Sequence, residues 1–165
     1  MARNYRLWEN ANVVSLLTPA ADAAGRTSAY VSLANGHKAF IMAYINQGNA
    51  ATVTLTPLQA TAVGGVGSKA LTSAAPIAYN LDTDTVPSDL LTIAAAATSY
   101  TTDAGVKSKL VLFEIDPIES LDINNKYNHI AVQTSASNAA NITSAVLIIT
   151  PIRFAQTNPP VAAGV

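Results

Sequence analysis

Cysteine is absent from this chain. Disulfides, thiolate nucleophiles and cysteine-ligated metal sites are therefore excluded, and the sequence carries no record of its redox compartment. Charge is scarce as well. Only 12% of the residues are charged, against about a quarter in an ordinary soluble domain. Nine basic residues face ten acidic ones, for a formal net charge of -1. Nucleic-acid binding calls for a basic surplus, and none exists. No apolar run reaches the roughly 20 residues that a membrane-spanning helix needs. Met1 to Glu9 holds Arg3 and Arg6 with no apolar segment behind them, which is not the pattern of a signal peptide. Aromatic residues make up 6%, with one tryptophan, and there are two histidines.

Low charge has its own meaning. A free small protein usually carries a mixed charged surface that keeps it soluble. A surface of Ala, Thr and Asn suits a chain that lives packed against others. A secreted or thermally tolerant domain with an uncharged surface is the competing reading. The length, 165 residues, is that of one domain able to bury an ordinary core. Half the residues are hydrophobic, but many are alanine, so that fraction overstates the core. The polar remainder is rich in Thr, Ser, Asn and Gln, which favours strands and turns over helices.

The run from Gly25 to Gly65 sets the pattern. Tyr30, Val31 and Leu33 predict one strand, Ala39 to Ile45 a second and Ala51 to Leu58 a third. Turns at Asn35-Gly36 and Gln47-Gly48-Asn49 punctuate them. In the third strand Val53, Leu55 and Pro57 fall on one face and Thr52, Thr54 and Thr56 on the other. Such short loops predict that these strands pair as a meander. Elsewhere, Val13 to Leu17 reads as a short strand stopped by Thr18-Pro19. Ala20 to Arg26 is a loop or one helical turn in which Asp22 and Arg26 form an exposed pair of little worth. Further strands fall around Ile77 to Leu81, over Leu90 to Ala97, Lys109 to Ile115, Tyr127 to Thr134, and Ile142 to Thr150. The total is about eight strands without clear helices or repeats. That predicts an all-β, antiparallel β-sandwich, and the long interval from Gly64 to Leu110 leaves room for strands that cross between sheets as in a jelly roll. An immunoglobulin-like order also fits. Residues 1–12 read as an N-terminal arm, 13–155 as the sandwich domain and 156–165 as an extended C-terminal tail. Tyr5, Leu7 and Trp8 are large groups on that short polar arm. They either anchor it to a neighbour or plug the end of their own sandwich.

The search for chemistry returns little. Gly64, Gly65 and Gly67 before Ser68-Lys69 lack the spacing and the hydroxyl residue of a phosphate loop. Asp82, Asp84 and Asp89 cluster on a loop without the glycine and final glutamate of a calcium-binding loop. His37 and His129 are far apart in sequence. Glu114 and Asp116, or Asp116 and Glu119, are the carboxylate pairs that a glycoside hydrolase would use, but the aromatic walls of a sugar site are missing. No G-x-S-x-G elbow occurs. The expectation is no enzyme, no catalytic residue, no metal and no cofactor. Sugar binding would need a stacking platform from Tyr30, Tyr44, Tyr79, Tyr100 or Tyr127, which are scattered.

The segment Asp22, Gly25-Arg26-Thr27, Tyr30-Val31-Ser32-Leu33, then Asn35-Gly36-His37-Lys38 and an apolar strand, carries a resemblance. It continues through Gly48-Asn49-Ala50, Thr52-Val53-Thr54-Leu55, Gln59-Ala60-Thr61 and 64–71, and returns in Thr150-Pro151-Ile152-Arg153-Phe154. Over residues 13–155 the chain resembles the capsid decoration, or cement, proteins of tailed bacteriophages, which have a jelly-roll or related β-sandwich fold. The Ala-rich stretch 94–97 departs from that pattern. The resemblance implies a structural protein on the outer surface of the phage head. It would bridge neighbouring major capsid proteins as a homo-oligomer, with a trimer favoured, and would bind neither nucleic acid nor membrane. Tyr5, Leu7, Trp8, Arg153 and Phe154 are the expected interface residues. A tail or fibre adhesin, or a carbohydrate-binding module of a virion, is the alternative.

Overall fold

A computed structural model of the chain describes residues 7–152. Within them run a helical turn α1 (Leu7–Asn10) and the strands β1 (Asn12–Ala21), β2 (Arg26–Thr27), β3 (Val31–Ser32) and β4 (Gly36–Gln47). There follow β5 (Thr54–Ala60), β6 (Lys69–Ala70), β7 (Ala75–Asn80), β8 (Thr92–Ala97), β9 (Tyr100–Thr101) and β10 (Ser108–Ile115). A short helix α2 (Pro117–Ser120), a 3-10 turn at Ile123–Asn125, β11 (His129–Thr134) and β12 (Asn141–Ile152) complete the order.

Two antiparallel sheets form a sandwich. The larger has six strands in the order β1-β12-β4-β10-β7-β8. The smaller runs β2-β11-β5-β6, with β3 pairing β11 and β9 pairing β5. Strand β10 shows how sequence makes sheet. Its residues Ser-Lys-Leu-Val-Leu-Phe-Glu-Ile alternate half-buried and buried along the strand, because successive side chains point to opposite faces. Val111, Phe113 and Ile115 join Ile41, Ile45, Leu147 and Ile149 in the larger sheet's inner layer. Leu55, Ile130 and Val132 meet them from the smaller sheet. Val53, Leu55 and Pro57 are buried and Thr52, Thr54 and Thr56 are not, so the expected faces of the third strand hold.

The meander expected near the N-terminal third does not form. Val31–Ser32 pairs β11, Gly36–Gln47 lies in the larger sheet and Thr54–Ala60 in the smaller. The Asn35-Gly36 turn therefore marks a change of sheet, and β4 takes its neighbours from the distant β10 and β12. Strand β1 also runs past Thr18-Pro19. It is an edge strand, where the missing N–H of proline costs no ladder bond, and the register shifts between Leu17 and Ala20. A second shift between Ser15 and Leu17 is a bulge that buries both Leu16 and Leu17.

The Asp22–Arg26 pair corrects another expectation. Asp22 is fully buried. Its carboxylate accepts hydrogen bonds from Arg26 Nε at 3.2 Å and Nη2 at 3.1 Å, from Thr134 Oγ1 at 3.0 Å, and from Thr143 Oγ1. Thr134 is on the smaller sheet and Thr143 on the larger, so one carboxylate ties the two layers. Arg26 spends its remaining donors on the carbonyls of Thr18, Ala20 and Thr143. The loop can bring Asp22 inward because Gly25 takes φ +71°, where a side chain would collide with the Thr134 carbonyl 2.8 Å away.

A candidate interaction surface where the chain ends converge

The register of the larger sheet brings four segments to one end. Asn12 pairs Ile149, Ile149 pairs Ala39 and Ala39 pairs Ile115. Strands β1 and β4 start at this level, and β10 and β12 finish there. The helical turn α1, the end of β12, the 33–36 turn and α2 are thus gathered together. Local bonds fix them. Ala11 N–H donates to the Leu7 carbonyl at 2.8 Å, and Thr150 Oγ1 donates to the Asn10 carbonyl at 3.3 Å. Asp116 caps α2 by accepting from Ile118 N–H at 3.0 Å, with Pro117 behind it. Gly36 is held bare, since a Cβ there would run into the Ile149 side chain.

A cavity of about 260 Å³ opens here, lined among others by Leu33, Gly36, His37, Ile118, Leu121 and Ile123. Its rim is apolar and exposed. Ile118 is 71% exposed and Ile123 45%. Leu7, on α1 at the same end of the sheet but outside the cavity's lining, is 45% exposed. Asn128 lines the same cavity, and its Oδ1 is buried without a hydrogen-bond partner. The arrangement offers a largely apolar recess, which suits a side chain of another protein better than a small charged substrate.

Of the residues expected at an interface, Leu7 lies on this end and Trp8 belongs to its helical turn. Tyr5, Arg153 and Phe154 lie outside the described residues, as does the tail 156–165. The last described residue, Ile152, pairs with Gly36. Both described ends of the chain thus reach the cavity's end of the sheet. Sequence reasoning missed Ile118 and Ile123. The signal was two isoleucines on short segments around Asp122, with Pro117 and Asn124 too close for either to continue a strand.

The other candidates have structural work. Asp116 follows the last residue of β10 and is occupied as the cap of α2. Glu114 pairs with Lys38. Asp82 accepts from Lys107 and Thr85, and Asp84 accepts from Ser108 N–H at 2.9 Å. Hydrogen bonds from Lys107 and Thr85 hold the Asp82 carboxyl below its ordinary range. Lys69 bonds Asp122 at 2.6 Å and sits 4.2 Å over the Tyr127 ring. His37 stands at the start of β4 and His129 in the other sheet. Among the described residues no group of three or more His, Asp or Glu could hold a metal ion. Tyr79 and Tyr100 stack at 5.2 Å, and burial pushes the Tyr100 hydroxyl up to about 12. Tyr30 is buried, so of the five tyrosines considered for a sugar platform only Tyr44 is exposed.

His129 has a consequence for pH. Its Nδ1 is buried without a partner, and desolvation lowers its pKa from the ordinary 6.5. The folded chain resists the proton that the unfolded chain takes up. Stability is then full above the unfolded value and declines as pH falls through the window beneath it. Urea midpoints should drop between pH 7.5 and pH 5.5, values chosen about one unit either side of the free imidazole. His129→Gln should flatten that slope; an equal slope in the variant would assign it elsewhere.

The fold defines the class: an all-β, antiparallel two-sheet sandwich. A solved structure similar to it is the crystal structure of the SPBc2 prophage-derived protein YomS. The two share 8% identity with a TM-score of 0.48, over 86% of this chain and 94% of that one. No known protein family matches the sequence, and no curated protein matches it either. Among the described residues no helix is long and apolar enough to cross a membrane.

Proposed function

We propose that this is a non-catalytic structural protein of a virion, a capsid decoration or cement protein that binds the outer surface of a phage head and bridges major capsid proteins. The jelly-roll assignment belongs to the same reading. The observation that carries it is the convergence of both described chain ends beside an apolar, exposed rim and recess. The sequence resemblance to cement proteins supports the assignment to a head. The scarcity of charge supports dense packing against neighbours, because Thr, Asn and Ala faces lose little on desolvation.

The mechanism is additive burial. Leu7, Ile118 and Ile123 lose water on contact, and each Å² of apolar area contributes roughly 25 cal/mol before ordering costs. Trp8 on α1 adds to the contact, and Tyr5, Arg153 and Phe154, outside residues 7–152, serve as further anchors. Repetition over a shell turns modest single contacts into avidity. Quantitative mass spectrometry of purified particles tests the reading. A ratio to the major shell protein fixed by the lattice is expected. A few copies per particle would point to portal, tail or fibre, and absence would remove the structural reading.

A further inference from the structure

The larger sheet is covered on one face by the smaller sheet. Its other face is apolar too. Along β4 the outward residues are Phe40, Met42 and Tyr44; along β10, Leu110 and Leu112; along β12, Val146 and Ile148. The register sets them side by side. Met42 lies between Leu112 and Val146, Phe40 beside Ile148, and Tyr44 beside Leu110. The rows run on to Val13, 55% exposed on β1, and to Ile93, 76% exposed on β8. An antiparallel sheet facing water on one side ordinarily alternates apolar with polar residues. These three central strands do not.

We propose that a second copy of this chain covers this face, packing sheet on sheet. Charge favours a copy over a different partner. On the three central strands the outward charges are Lys38 and Glu114, one of each sign, already paired with each other. A copy laid on this face meets no unpaired charge, whereas a foreign partner would gain nothing from steering or charge matching. Area favours it as well. Six strands about 4.8 Å apart and nine residues from Lys38 to Asn46 give a flat footprint on the order of 600 Å². Side-chain relief brings that near the roughly 800 Å² per partner of a stable interface. Small outward residues such as Ser15, Ala78 and Ser144 leave hollows between the large ones, so two faces about 10 Å apart can interdigitate. A single flat patch facing itself closes at two copies. A three-fold assembly needs two different complementary patches.

The pairing is independent of shell binding, so it is tested on the purified chain alone. Light scattering after gel filtration at about 50 µM, above the micromolar limit of such interfaces, should give twice the 17.0 kDa chain mass. Met42→Glu should weaken the dimer at least about 100-fold, since it places two like charges in an apolar seam. Tyr44→Lys, at a position already 44% exposed, does the same with less risk to folding. Val66→Glu, on a loop away from the face and 62% exposed, should stay dimeric. Mixing Met42→Glu with Met42→Lys should restore the dimer. A monomeric wild type, a trimer mass, or variants that all keep the wild-type mass would overturn the proposal. So would a dimer that forms only after removal of residues 153–165, which would make that segment the occupant.

Discussion

Asp22→Ala lowers the stability of this protein by about 3–5 kcal/mol, the cost of breaking a buried ion pair from one side. Asp22 is fully buried and holds four donors from three parts of the chain. Its removal strands the hydroxyls of Thr134 and Thr143, which are themselves buried. It also leaves Arg26 facing only carbonyls. The melting temperature should fall by roughly 10–15 °C for a chain of this size. Asp22→Asn keeps the shape and one acceptor and should lose less. A fall within about 1 kcal/mol for Asp22→Ala, the range of an exposed pair, would mean that the carboxylate does not join the sheets.

The same residue shows where the sequence was silent. Asp22 and Arg26 stand four apart in a polar loop, which is how a solvated pair looks. What buries Asp22 is the approach of Thr134 and Thr143, each more than 110 positions away. Strands were easier. The runs over Lys109–Ile115 and Ile142–Thr150 announce themselves by β-branched and aromatic residues, and both are strands. Their partners were not legible, because β4 pairs with segments on the far side of the chain while a nearby Asn-Gly turn argues for a hairpin. The outer face was hidden for another reason. Leu110 to Phe113 and Val146 to Ile149 are unbroken apolar runs, which is also how a strand covered on both sides reads. Only the layer count shows that, among the described residues, one side lacks its cover.

The candidate surface divides in the same way. Tyr5, Leu7 and Trp8 stood out as large groups on a polar arm. Ile118 and Ile123 did not, since their exposure follows from the cap at Asp116 and the turn that ends in Lys126 at φ 67°. Local sequence marked out the arm; only the sheet register placed α2 at the same end of the sheet as α1.

In the proposed role, this end of the sandwich is what meets the shell. Removing residues 1–9 tests it. The deletion takes away Tyr5, Leu7 and Trp8 and leaves β1, which starts at Asn12. Aromatic anchors at an interface each carry about 2 kcal/mol or more, so losing them should weaken shell binding at least about tenfold. The melting temperature should stay close to that of the full chain, because β1 and both sheets remain and Leu7, the deleted residue whose side chain is described, is 45% exposed. Ile118→Lys, on the recess itself, should weaken binding in the same direction. The measurement is occupancy on purified shells stripped of this protein and titrated with full-length or shortened chain. Occupancy that falls while the fold holds is the predicted result. Unchanged occupancy at equal concentration would contradict it and move the shell contact to another surface.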